Sequence, residues 1–191
     1  EMEFNRLLSS AISAYGEPSL ESNKANQKPK ENQKEINKKE YYLIKDPKEI
    51  DNWIRDAEDM GEVCVDTETS SLDPHQADLI GISLSSKIGK ACYIPIGHDS
   101  KKCIKKDIVL EKLKPLLEDP SIKKIGQNIK FDFIVLFKQG INISSMEDTM
   151  LMSYVLDAGK NRHNMDTLSE IHLDHKTTTY KDLVGSGKKE I

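Results

Sequence analysis

The chain has 191 residues, of which 37% are hydrophobic and 31% are charged, with a formal net charge of -4. This length allows one domain with a substantial core plus a tail, and the low apolar content predicts that part of the chain is not packed. The acidic balance argues against a protein that coats duplex DNA with a basic face.

The cysteine content and the lack of a long apolar stretch argue against a disulfide-rich, zinc-binding or membrane-spanning protein. The three cysteines have no C-x-x-C spacing, which indicates neither a disulfide framework nor a zinc site. This usage is typical of a reducing compartment, and we expect a cytoplasmic protein. No apolar stretch is long enough to cross a membrane, so no membrane partner is predicted.

The first 40 residues differ in composition from the rest. Residues 1–16 hold a weak amphipathic pattern that begins abruptly, like the end of an upstream helix. Residues 17–39 are dominated by Asn, Lys, Gln and Glu and cannot bury enough apolar surface to offset the cost of ordering. We therefore predict that residues 1–40 are the end of an upstream domain plus a disordered linker, and that residues 41–191 form a folded domain.

Strands and helices alternate beyond the linker. Strands are predicted at 41–44, 62–66, 80–84, 91–96 and 122–125. A helix is predicted to follow the cap at Asp46, and apolar stripes predict helices at 108–117, 129–137 and 146–155, with methionines filling the core in the last. This order predicts an α/β fold with a mixed sheet flanked by helices on both faces.

Asp66 and Glu68 stand where the apolar run Val63–Val65 ends. Side chains two apart on a strand point the same way, so both carboxylates aim at one spot. Two like charges about 4 Å apart repel by roughly 1 kcal/mol in water and by several at a partly buried site. A cation between them removes this repulsion, and hard oxygen ligands suit Mg²⁺ or Mn²⁺. The alternative is a pair of solvated acids at a loop entrance.

A second polar cluster follows the strand predicted at 122–125. Asn128 and Asp132 are four residues apart, so a helix would present them on one face. Alternatively, Asn128 caps the helix and Asp132 is merely solvated. Together with Asp66 and Glu68, this cluster would bring a third carboxylate and an amide to the ends of adjacent strands, where open sheets place their sites.

At these two clusters the chain resembles the DEDD superfamily of exonucleases. The first motif is similar to Asp66-Thr67-Glu68-Thr69-Ser70-Ser71-Leu72-Asp73, and the second to Gly126-Gln127-Asn128 with Lys130 and Asp132. Similarity to the proofreading domain of bacterial DNA polymerase I extends through segments 93–98, 113–119, 148–154 and 162–166. The resemblance implies a ribonuclease H-like fold and hydrolysis of the 3′-terminal phosphodiester of single-stranded or frayed DNA.

The resemblance also implies a role for each acid. Asp66 would bridge two divalent cations, Mg²⁺ or Mn²⁺. Glu68 would hold one cation and position the attacking water, and Asp132 would serve the second cation through water. Such a pair of ions can supply a hydroxide near neutral pH and stabilise the leaving oxygen.

On the substrate side, the resemblance implies that Leu72 and Tyr180 hold the terminal base between them, a sequence-tolerant contact. Gln127 and Asn128 would contact the strand backbone, and Phe131 stands where relatives often carry tyrosine, so a hydroxyl contact is lost. The implied partners are a single-stranded DNA 3′ end and a polymerase domain downstream in the same polypeptide. A monomer is expected.

The chain departs from the family pattern at its C-terminus. The family has a third motif, a tyrosine followed four residues later by the fourth acid, and this chain stops at Ile191 before that motif is due. We therefore expect a domain truncated before its third motif, and this fragment could be inactive alone. Two alternatives stay open: a non-catalytic scaffold or DNA-binding domain of a polymerase, and a free-standing RNA-trimming exonuclease.

Overall fold

The computed structural model describes residues 9, 10, 12–14, 40–98, 103–178 and 182. The chain divides into two compact units, Glu1–Gln33 and Lys34–Ile191. In the first unit, residues 9, 10 and 12–14 are helical. The linker predicted at 17–39 lies outside the described residues, and so does Tyr180.

The second unit is built on one mixed sheet. Its elements in chain order are β1 (Tyr41–Leu43), α1 (Pro47–Met60), β2 (Glu62–Thr69), β3 (Leu79–Lys87), β4 (Lys90–Pro95), α2 (Lys106–Glu118), β5 (Lys123–Gly126), α3 (Lys130–Lys138), β6 (Met146–Asp148), α4 (Thr149–Asp157) and α5 (Met165–Leu173). The strand order is β1-β4-β3-β2-β5-β6. The pairs β2–β3 and β3–β4 are antiparallel, whereas β1–β4, β2–β5 and β5–β6 are parallel. The predicted α/β class with a mixed sheet and helices is confirmed.

Helix α1 starts as its sequence predicts. The Asp46 side chain accepts a hydrogen bond from the Lys48 N–H, and the Glu49 side chain accepts one from the Asp46 N–H, which completes a capping box. Gly61 ends the helix in the left-handed conformation with φ of 70°. The helix can therefore pack one apolar stripe on the sheet and return the chain directly into β2.

Strand β2 has two unlike faces. Val63, Val65 and Thr67 are buried on what we call the core face, which joins the main cluster of aliphatic side chains. Cys64, Asp66 and Glu68 alternate with them on the opposite face, here called the open face, and are exposed. Because β2 runs parallel to β5, the carboxyl ends of these two strands meet at one edge of the sheet.

The segment predicted as a helix over 146–155 is different in the structure. Met146 lies on the edge strand β6, paired with Lys124, and α4 begins only at Thr149. Met146 and Met152 are each 42% exposed, so the expectation that the methionines fill the core is wrong for these two. Backbone pairing with β5 takes precedence here over the apolar periodicity. Among the described residues, no helix is both long and apolar enough to cross a bilayer.

Candidate active site

The three predicted acids lie where β2 and β5 end. Asp66 and Glu68 project from the open face of β2, as their spacing predicts. Asp132 lies in the first turn of α3, which follows β5 after a short loop. The parallel pairing of β2 and β5 is therefore what brings both polar clusters to one edge.

Asp132 is attached directly to the residue between the other two acids. The Thr67 N–H donates to Asp132 Oδ1 over 2.8 Å, and the Thr67 hydroxyl donates to the same oxygen over 2.6 Å. Asp132 is only 3% exposed, so the alternative of a solvated acid on a polar helix face is wrong. Two donated bonds to one carboxylate oxygen fix Asp132 against the strand residue that separates Asp66 from Glu68.

The pKa values show that the site concentrates negative charge. Burial, opposed by the Thr67 hydrogen bonds and reinforced by the charge of Asp66, raises the pKa of Asp132 to about 6. Partial desolvation, together with the charge of Glu68, also raises the pKa of Asp66, although solvent reaches this residue. Glu68 makes Asp66 harder to ionise and Asp66 does the same to Asp132, in addition to the larger effect of burial, and this favours binding of a proton or a cation.

The donor chemistry fits a hard divalent cation. The three side chains offer carboxylate oxygens, the ligands that Mg²⁺ and Mn²⁺ prefer, and a cation would relieve the charge repulsion that adds to burial in raising the pKa values of Asp66 and Asp132. In the part of the chain that the structure describes, no three His, Cys, Asp or Glu side chains are already arranged around an ion position. Both Thr67 bonds go to Asp132 Oδ1, whereas Asp66 and Glu68 lie on the exposed face of β2.

Asn128 has a different place from the one its spacing predicts. Its φ is 60°, in the left-handed region, and the N-cap position of α3 is Ile129. Asn128 therefore neither caps the helix nor shares a helical face with Asp132. Its N–H donates to Asp148 Oδ1 over 3.0 Å, and the same oxygen accepts from the N–H groups of Met150 and Leu151 at 2.9 and 3.3 Å. Asp148 thus holds the loop and caps α4 together.

The Gln127 amide is engaged within the chain at both of its ends. Its Nε2 donates to the backbone carbonyl of His163 over 2.8 Å, and its Oε1 accepts from the Thr149 hydroxyl over 2.6 Å. His163 is itself buried, with Nδ1 2.8 Å from the Ser153 hydroxyl. In this arrangement Gln127 ties the end of β5 to α4 and to the segment before α5. A contact between Gln127 and a DNA strand stays a prediction.

The residues predicted to contact the terminal base differ in what the structure says about them. Leu72 is 98% exposed in the turn after β2. A side chain of helix α3 holds the segment after this turn, because Lys138 Nζ donates to the carbonyls of Pro74 and Ala77 at 3.2 and 3.0 Å. Phe131 is half-buried and packs against the core. Nothing is described for Tyr180, which lies outside the described residues.

Sequence reasoning missed Thr67 and Asp148. Asp148 stands directly before an apolar stretch, which is the usual signal of a helix cap, and that signal could have found it. Thr67 carries no such signal, because its partner Asp132 is 65 residues away and only the β2–β5 pairing brings them together.

Comparisons with known proteins point to one family. A family model described as 3′-5′ exonuclease matches residues 41–191. DNA polymerase I of Rhizobium leguminosarum is 42% identical over 172 residues, and that of Pseudomonas aeruginosa is 39% identical over 158 residues. These matches cover 79% and 80% of this chain but only 17% of each polymerase, so the chain spans about a sixth of their length.

A solved structure supports the fold. Brucella melitensis NrnC is 25% identical, with a TM-score of 0.57, covering 78% of this chain and 65% of that chain. Because the matching family model spans most of the sequence, the chain belongs to the 3′-5′ exonuclease domain family of bacterial DNA polymerase I.

Proposed function

We propose that this domain removes nucleotides from the 3′ end of single-stranded or frayed DNA and so serves as the proofreading domain of a family A polymerase. Two divalent cations, Mg²⁺ or Mn²⁺, would be held by Asp66, Glu68 and Asp132. We propose that a polymerase domain follows in the same polypeptide, which is supported by relatives named DNA polymerase I of which this chain covers 17%.

The observation that carries the proposal is the Thr67 bridge. A carboxylate from α3 is bonded to the backbone and side chain of the residue between Asp66 and Glu68. Acids from two motifs, far apart in sequence, are thereby held near one strand end, although burial and the charge of Asp66 raise the pKa of Asp132, and burial and the charge of Glu68 raise the pKa of Asp66. Keeping mutually repelling charges at one place is costly to stability and is typical of functional sites.

Each residue has a distinct task in this mechanism. Asp66 and Glu68 present their carboxylates at the open face, and Thr67 orients Asp132 behind them. Bound divalent cations would stabilise the charge that develops on the phosphate and the leaving oxygen. Leu72, exposed on its braced turn, would contact the terminal base and keep it unpaired. Asp148 and Gln127 hold the β5–α3 loop in place.

Brucella melitensis NrnC, which shares this fold, is known with pGG bound and with Mg²⁺ bound. These ligands belong to that protein and support the proposal by fold likeness. The matching family is that of 3′-5′ exonucleases, which supports attack from the 3′ end.

The test is digestion of a 5′-labelled single strand by the polypeptide as its gene encodes it. We expect stepwise shortening from the 3′ end that requires Mg²⁺ or Mn²⁺ and is lost in Asp66→Ala. A matched RNA strand should be shortened more slowly, and a preference for RNA would instead favour an RNA-trimming enzyme. Equal activity of wild type and Asp66→Ala would overturn the nuclease proposal.

A second candidate is a non-catalytic DNA-binding or scaffold domain. The observation that favours it is that no ion-binding cluster of three ligands is formed among the described residues. This candidate predicts that single-stranded DNA binds with equal affinity with and without Mn²⁺, and that no digestion occurs. The same assay therefore separates the two candidates.

A further inference from the structure

Tyr93 on β4 lies on the same face of the sheet as Asp66 and Glu68, and it has no part in the proposed mechanism. Asp66 pairs with Ser83 across β2 and β3, and Ser83 pairs with Tyr93 across β3 and β4. Directly paired residues lie on the same side of a sheet. Tyr93 therefore projects from the open face, two strands away from Asp66, and is half-buried there.

A glycine lets the Tyr93 ring reach toward Glu68. Gly81 is directly opposite Glu68 in the β2–β3 pair and opposite Pro95 in the β3–β4 pair. A Cβ built on Gly81 would overlap the phenol oxygen of Tyr93. Cβ positions of directly opposed residues are about 4.5–5.5 Å apart. Gly81 has no side chain to face Glu68, and the Tyr93 hydroxyl occupies the position where that side chain would lie.

His98 holds the other side of this hydroxyl. The Tyr93 oxygen lies 2.6 Å from His98 Nε2, and the two rings meet edge to face with centroids 5.7 Å apart. If Nε2 carries the imidazole proton, it donates to the phenol oxygen, and the phenol proton is available for another acceptor. Burial first, and the charge of Glu68 second, raise the pKa of Tyr93 to about 12, so the phenol keeps its proton.

We propose that Tyr93, held by His98 and seated over Gly81, is a positioning residue that donates a hydrogen bond to Glu68 and keeps its carboxylate turned toward Asp66. This role rests on the proposed function, because a fixed Glu68 matters only if it binds a cation. A glutamate side chain on an open sheet face otherwise samples several rotamers, and ordering it opposes ion binding. A hydrogen bond to a charged acceptor is among the stronger ones.

The experiment compares Tyr93→Phe with Tyr42→Phe in the polypeptide as its gene encodes it. Tyr42 is a matched control because it lies on β1 opposite Cys92, on the core side, with its ring 5.9 Å from that of Trp53. The readouts are the Kd for Mn²⁺ from electron paramagnetic resonance, and kcat and KM on a single strand.

We expect Tyr93→Phe to raise the Kd for Mn²⁺ by roughly tenfold to a hundredfold, as for the loss of one hydrogen bond to a charged group. The value of kcat should fall while KM for DNA stays constant, because Tyr93 acts on Glu68 and does not contact the DNA. Tyr42→Phe should leave all three quantities unchanged. A merely structural role would lower the thermal unfolding temperature without this separation of kcat from KM.

A second variant keeps the test independent of the phenol itself. Gly81→Ala adds a methyl group where the Tyr93 hydroxyl lies and displaces it without altering Tyr93 or Glu68. We expect the same direction of change in Mn²⁺ affinity and kcat. If either variant fails to fold, the other decides the question.

Two outcomes separate this inference from the proposed function. If Asp66→Ala loses activity and Mn²⁺ affinity while folded Tyr93→Phe and Gly81→Ala keep wild-type values, only the positioning role is overturned. If Asp66→Ala remains fully active, the nuclease proposal fails, and the role of Tyr93 fails with it.

Discussion

The end of β2 and the loop between β5 and α3 meet at one edge of the sheet, yet they use their polar side chains in opposite ways. On β2 and its turn, Asp66, Glu68 and Leu72 are exposed. In the β5–α3 region, Asp132 is buried against Thr67, and the Gln127 amide is bonded at both ends. The end of β2 exposes its polar side chains to solvent, whereas the polar side chains of the β5–α3 region form hydrogen bonds that hold this edge of the sheet in place.

This difference teaches that membership of a motif does not define the role of a residue. Asp66 and Asp132 both belong to predicted catalytic motifs, but only Asp132 is hydrogen-bonded to the framework through Thr67. Substitutions at the exposed positions of β2 and its turn should therefore lower the reaction rate more than the stability. Substitutions in the hydrogen-bonded β5–α3 region should lower the stability first.

The largest expected effect is that of Asp66→Asn on the rate of 3′-end hydrolysis. Loss of one cation ligand removes several kcal/mol of transition-state stabilisation, which is roughly a thousandfold in rate. The free energy of unfolding should stay equal or rise, because a partly desolvated carboxylate next to Glu68 is removed. Single-turnover digestion and urea unfolding measure the two quantities. A stability loss as large as that of a core truncation would show that Asp66 supports the fold and does not act on the reaction rate alone.

Asp132 should make the protein less stable as pH rises. Its pKa is about 6 in the folded chain against an ordinary value of 3.8. The folded state therefore holds the proton more tightly, and its contribution is fully present below about pH 4 and is lost between about pH 4 and 6, by about 3 kcal/mol at most. Asp132→Asn keeps an acceptor for Thr67 and should lack this component in urea unfolding at several pH values.

The quantity to compare is the free energy of unfolding of wild type minus that of Asp132→Asn at each pH. The subtraction is needed because other carboxyl groups, such as Asp56, have lowered pKa values and make the protein more stable as pH rises. Added Mn²⁺ should reverse the loss at high pH in wild type only. A difference between the two proteins that does not change with pH would show that Asp132 titrates normally.

Asp148→Ala should reduce the free energy of unfolding by about 2 kcal/mol. The change removes a helix cap and leaves the N–H groups of Asn128, Met150 and Leu151 without their acceptor. Asp148→Asn keeps an oxygen at the same place and should recover most of this stability in urea unfolding. If alanine is as stable as wild type, the loop is not held through Asp148.

The smallest effect is expected for Leu72→Ala. Because Leu72 is 98% exposed, the free energy of unfolding should change by less than about 0.5 kcal/mol. KM for a single strand should rise by roughly threefold to tenfold, since an apolar contact with a base is lost. Ile88→Ala is the matched control, because Ile88 is 93% exposed in the turn between β3 and β4. Equal kinetic effects of both changes would remove Leu72 from the proposed substrate contact.

Local patterns predicted the elements whose signals lie within a few residues. The capping box at Asp46 and the shared side of Asp66 and Glu68 on β2 are both found as expected. The short strand β6 was missed, because three residues carry too little periodicity to outweigh the helical pattern that follows. Asn128 was misplaced for a similar reason: its left-handed φ depends on a hydrogen bond to Asp148, 20 residues away.

The sequence by itself determined that Asp66 and Glu68 share one side of a strand, because the period of two is a property of the extended backbone. It also determined family membership, through motifs that need no coordinates to be recognised. Only the tertiary structure decided that Asp132 is buried and bonded to Thr67, and that Gly81 gives its space to Tyr93. These relations depend on strand pairing between distant segments, and local patterns contain no information about which strands become neighbours.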